Sequence, residues 1–86
     1  MAKTVNSSGT GTLPVSGPDT ISSVVITDGS VAAGDKIIVT KTTSVSDVRG
    51  PFDIYTEASA SAGSFTAYAD KKQLPTAMNF HYITVA

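Results

Sequence analysis

Alternation of apolar and polar side chains marks where this chain forms strands. A β-strand puts successive residues on opposite faces, so a period of two in hydrophobicity predicts a half-buried strand. Ile21-Ser22-Ser23-Val24-Val25-Ile26-Thr27 is a first such stretch, stopped by the turn-forming Asp28-Gly29-Ser30. After a second turn at Ala33-Gly34-Asp35, Lys36 to Thr42 places Ile37 and Val39 opposite Lys36, Ile38 and Thr40. Phe52 to Ala58 alternates cleanly, with Phe52, Ile54 and Thr56 on one side and Asp53, Tyr55 and Glu57 on the other. Ser64 to Ala69 reads as its hairpin partner. The alanine-bearing stretch 58–63 between them is too short for a helix and is broken by Ser59, Ser61 and Gly63.

The stretch Phe80-His81-Tyr82-Ile83-Thr84-Val85-Ala86 is the exception, because both its faces are apolar or aromatic. Phe80 and Tyr82 share one face; His81, Ile83 and Val85 share the other. Covering both faces in a chain of 86 residues points to a second copy. Phe80, Tyr82, Ile83 and Val85 are therefore expected at a subunit interface. The longest interior loop, 43–51, holds Arg49 and ends at Gly50-Pro51.

Residues 1–19 read differently. Gly9, Gly11, Pro14, Gly17 and Pro18 interrupt a Ser/Thr-rich text, which predicts an extended arm without a core of its own. Thr4-Val5 and Thr12-Leu13-Pro14-Val15 carry enough β character to add to another surface as short strands. Lys3, Val5, Leu13 and Val15 are the expected docking residues of that arm. The organisation is then an arm over 1–19 and a β core over 20–86. The fold class is all-β: a small antiparallel β-sandwich or barrel of about five to seven strands with an extended N-terminal arm.

Composition narrows the function. Val, Ile and Thr are abundant while leucine occurs only at Leu13 and Leu74, a bias toward sheet. Cysteine is absent, so disulfides and thiolate metal sites are excluded, and one histidine cannot make a zinc site. Oligomerisation is the remaining way to reinforce so small a core. A net charge of -1 with scattered charges gives no footprint for nucleic acid. No apolar run approaches the roughly 20 residues that span a bilayer, and residues 1–4 lack the apolar segment of a signal peptide, so assembly in a cytoplasm is expected.

Candidate chemistry is sparse. His81, inside an apolar strand, reads as a packing or interface histidine, and no nucleophile motif accompanies it; no catalytic residue, cofactor or metal is expected. Asp28, Asp35, Asp47 and Asp53 do not form a calcium loop, and each has a turn or solvent explanation. Asn6-Ser7-Ser8 matches the glycosylation pattern by chance, and Gly9-Thr10-Gly11-Thr12 is arm flexibility rather than a phosphate loop. Tyr55 and Tyr68 are the exposed aromatics by alternation, and so the alternative ligand face.

Val24-Val25-Ile26 before a turn, Gly34-Asp35-Lys36-Ile37-Ile38-Val39-Thr40, Gly63-Ser64-Phe65-Thr66 and Phe80-His81-Tyr82-Ile83 together resemble small all-β domains of tailed-bacteriophage virion proteins. These occur as capsid cement (decoration) proteins and as parts of tail fibres. The resemblance spans about Thr20 to Ala86 and involves no site motif. It implies a non-enzymatic structural protein on the virion's capsid surface, a homotrimer that clamps major capsid protein subunits. The alternative it implies is a tail fibre or spike domain that presents Tyr55, Tyr68 or the 43–51 loop to a host-surface glycan.

Overall fold

The computed structural model describes residues 4–86. Eight strands follow one another: β1 (Val5–Leu13), β2 (Ile21–Thr27), β3 (Lys36–Lys41), β4 (Ser46–Asp47), β5 (Gly50–Pro51), β6 (Ile54–Thr56), β7 (Ser64–Lys72) and β8 (Met78–Val85). They build one three-stranded sheet in the order β1-β8-β3, a second in the order β2-β7-β6, and the small β4-β5 hairpin. All pairings are antiparallel. The two larger sheets, here A and B, face each other with β1 near β2 and β3 near β6. The result is an elongated all-β sandwich of 43 × 21 × 18 Å.

Alternation accounts for the core. From β7, Phe65, Ala67 and Ala69 point inward, and from β8, Met78, Phe80 and Tyr82 do so, all of them buried. Ala67 and Ala69 are wholly buried in the same core cluster as these rings. Phe65 meets Tyr82 edge-on, with ring centroids 5.0 Å apart, a favoured aromatic geometry. Ile37 and Val39 from β3 and Ile54 from β6 pack on the margin of this core, on the faces their spacing predicts.

The segment expected as an arm is a strand of the sandwich. β1 pairs with β8 from Val5↔Val85 to Leu13↔Met78, with one irregularity between Val5 and Ser7. Leu13 is fully buried, so it is a core residue and not part of a docking arm. Gly9 and Gly11 are not there for flexibility. They lie opposite Tyr82 and Phe80 in the ladder, and a β-carbon at Gly9 would stand 2.7 Å from the Tyr82 hydroxyl oxygen. The missing side chains are the slots into which the two rings lie. A boundary at residue 19 therefore does not separate arm from core.

The expectation for the last strand is corrected in the same way. β8 is the centre of sheet A, and its Phe80 and Tyr82 are covered by sheet B of the same chain. A second copy is not what buries them, so neither lines a subunit interface.

Two side-chain clasps tie the loops to the sandwich. Asp28 accepts hydrogen bonds from the Ser7 hydroxyl, from the Tyr82 hydroxyl at 2.8 Å and from the Ser30 amide at 2.9 Å. The buried Asp35 accepts from Asn6 Nδ2 at 2.9 Å and from the Ala32 amide at 3.0 Å, so the β2–β3 loop is bound to β1 at both ends. At the other end of the molecule, Arg49 donates to Asp47 at 2.6 Å and to the carbonyls of Lys72 and Gln73 at 2.6 and 2.9 Å. Arg49 and Lys71 also stand about 5 Å from the ring centre of the buried Phe52, a cation–π arrangement.

Candidate functional site

With Met78, Phe80, Tyr82 and Thr84 turned inward, β8 presents Asn79, His81, Ile83 and Val85 on the outer face of sheet A. The ladder fixes their neighbours in rows across the sheet: Val5, Val85 and Lys36; Ser8, Ile83 and Ile38; Thr10, His81 and Thr40. Ile38 is 50% and Val5 57% exposed, while Ile83 is half-buried and Val85 nearly covered. The rows line two shallow concavities of about 380 and 290 Å³, which share Thr10 and His81. Apolar side chains thus cross the face at one end and hydroxyls at the other. Lys36 is the one lysine in these rows, and acidic groups are absent from them.

His81 sits between two threonines, Thr10 and Thr40. A general base needs a nucleophile and an orienting carboxylate in hydrogen-bond reach. Four aspartates are engaged elsewhere: Asp28 and Asp35 in the loop clasps, Asp47 with Arg49, and Asp53 with Lys41 at 2.8 Å. Hydrogen bonds from Ser7, Ser30 and Tyr82 hold Asp28 below the ordinary carboxylate range. The Ala32 amide and the Asn6 side chain do the same for Asp35. Burial, and then the Asp28 carboxylate, push the Tyr82 phenol up. Among the described residues no cluster of three or more acidic or histidine side chains is arranged for a metal ion.

The outer face of sheet B carries the aromatic pair. Tyr55 on β6 lies directly opposite Tyr68 on β7, and the rings stack at 5.4 Å with 21° between their planes. Tyr55 is 48% exposed. Glu57 borders the pair and accepts a hydrogen bond from the Thr66 amide at 2.7 Å. Strand alternation predicted that both tyrosines face outward, and the β6–β7 register brings them together.

Of the other expected site residues, Val5 and Val15 are exposed, Leu13 is core, and Lys3 lies outside the described residues. Val15 borders a concavity of about 570 Å³ that Val48, Arg49, Leu74 and Pro75 also line. Val48 was not singled out from the sequence. It is wholly exposed at the tip of the β4–β5 hairpin, between the paired Asp47 and Arg49. The available signal was a valine flanked by opposite charges in a loop.

Neither protein-family models, nor curated proteins, nor solved structures gave a match to this chain.

Proposed function

We propose that the protein is a non-enzymatic structural module that docks by the outer face of sheet A on the outer surface of a protein shell, as capsid cement proteins of tailed bacteriophages do. The observation that carries the reading is the row Ser8–Ile83–Ile38 with Val5 beside it, in which Ile38 and Val5 are exposed and Ile83 is half-buried, on a sheet whose other face packs into the core. Such a row gains when water leaves it, by about 25 cal/mol for each Å² of apolar surface. The surrounding Ser and Thr hydroxyls supply hydrogen bonds, and Lys36, at the end of the Val5 row, is the one charge in these rows to desolvate. Repeated over many shell positions, a weak contact of this kind adds to shell stability by mass action. On this reading the partner is the major capsid protein and the location is the capsid surface of the virion.

The test is capture from disrupted virions of the phage that carries the gene, on immobilised protein, with mass spectrometry of what is retained. The reading expects the major capsid protein to be held by the wild-type chain and lost with Ile38→Glu. Retention unchanged by Ile38→Glu, or none with either chain, overturns it.

The stacked Tyr55–Tyr68 pair favours a second reading, a fibre or spike domain that binds a host-surface glycan. Exposed tyrosine rings offer an apolar face to the C–H side of a sugar and a hydroxyl to its rim. Glycan-array binding abolished by Tyr55→Ala, with capsid capture absent, selects this reading over the first.

A further inference from the structure

The two flanks of the sandwich differ in charge. On one flank the outermost strands are β3 and β6. There β3 carries Lys36 and Lys41, Lys41 pairs with Asp53 just before β6, and Glu57 follows β6. On the other flank the outermost strands are β1 and β2, and the chain holds no charged side chain from Thr4 to Pro14 or from Thr20 to Thr27. Lysines and other charges on an outermost strand discourage pairing with a further strand, and β1 and β2 lack them. The other protective device, a bulge, interrupts pairing only near the start of each strand: on β1 between Val5 and Ser7, and opposite Ile21–Ser23, where the extra residues belong to β7. Ser7–Leu13 and Ser23–Thr27 are left regular.

We infer that the β1/β2 flank is a self-association surface, at which β2 pairs antiparallel with β2 of a second copy and joins the two B sheets into one of six strands. The uncharged strand is what selects a second copy. A twofold axis brings the side chains of β2 against β2 itself, and with no charge present no like-charge contact arises. An axis normal to the sheet keeps outer residues opposite outer residues, so the pairing centres on a residue and not between two. Centred on Val25, which is 62% exposed in the single chain, it sets the two Val25 side chains against each other and Ser23 against Thr27. The contact is small: strands of seven and nine residues at about 3.4 Å per residue, in sheets about 10 Å apart, give on the order of 300 Å² per copy and about 600 Å² across both, so the main-chain hydrogen bonds of the added strand carry the association. The inference is independent of the outer-face reading, and it gives a dimer where the family resemblance implies a trimer.

The absence of cysteine makes the test direct. Light scattering of the full chain over a dilution series is expected to show twice the chain mass. Residues directly opposite in an antiparallel pair have α-carbons about 4.5–5.5 Å apart, a separation that a disulfide spans. Val25→Cys is therefore expected to give a reducible covalent dimer under mild oxidation, and Thr40→Cys on the opposite flank is expected not to. Val25→Lys sets two ammonium groups against each other at an exposed position, and is expected to keep the circular dichroism spectrum and halve the mass. A monomer at every concentration overturns the inference, as does a trimer, or a dimer that Val25→Lys leaves intact and Val25→Cys fails to cross-link.

Discussion

Gly11 lies directly opposite Phe80 in the β1–β8 ladder, and the Phe80 ring occupies the volume that a side chain at position 11 would need. The δ-carbon of Ile26, from the facing sheet, closes the same space at 2.8 Å from where a β-carbon would stand. Sequence, ladder and core therefore meet at one glycine.

Gly11→Ala is expected to destabilise the fold by about 1–3 kcal/mol, the usual cost of overpacking. In an open strand the same change stabilises by roughly 0.5–1 kcal/mol, so the sign is diagnostic. Gly17→Ala, with nothing within 4 Å of the added carbon, is the control and is expected to be near neutral. Urea denaturation of the three proteins measures both effects.

Phe80→Ala removes a fully buried ring and is expected to cost about 3–5 kcal/mol. Because the ring is enclosed by its own chain, the loss falls on the melting temperature of the monomer unit. Thermal unfolding at several protein concentrations checks this: the drop is expected to be the same at each.

Stability is expected to fall in acid through Asp28 and Asp35. Both carboxyls are held below their ordinary value of 3.8 in the folded chain by hydrogen bonds to the ionised form. Their contribution is fully present above that value, because neither state then binds the proton. It is lost as the pH falls below it toward the folded values, where the unfolded chain takes up protons first. Urea midpoints between neutral pH and about pH 2 are expected to decline less steeply at the acid end in Asp28→Asn than in the wild type.

Arg49→Lys keeps the charge and loses the fork that reaches Asp47 and the carbonyls of Lys72 and Gln73 together. Faster amide exchange is expected at Phe52, whose amide donates to the Val45 carbonyl across the hairpin, with exchange in β7 and β8 unchanged.

Tyr55→Ala removes one member of an exposed cross-strand pair and is expected to cost roughly 0.2–1 kcal/mol. A larger loss in chemical denaturation would show that the pair supports the sheet rather than lying free on it.

How much of this was legible beforehand differs by element. Strands β2, β3, β6, β7 and β8 were visible because valine, isoleucine and aromatic residues recur at every second position. β1 was not, because, of its inward positions Ser7, Gly9, Gly11 and Leu13, only the last is apolar, and the apolar material over the first three comes from β8. Glycine in a strand reads as a break when its neighbours across the ladder are unknown. The outward placement of Tyr55 and Tyr68 followed from alternation alone, whereas their stacking needed the register. The two apolar faces of β8 were visible as two faces, but one is covered within the chain.

The order of the strands in sheet A has a consequence for synthesis. β8, the middle strand, is the last of the eight to be made, and both of its neighbours precede it. Until β8 emerges from the ribosome, β1 and β3 have no strand to pair with, and sheet B has no finished surface to close upon. The long separation between β1 and β8 makes this a slow, late step. The nascent chain consequently waits with its apolar residues uncovered, which places the greatest risk of misassembly in the interval before β8 appears.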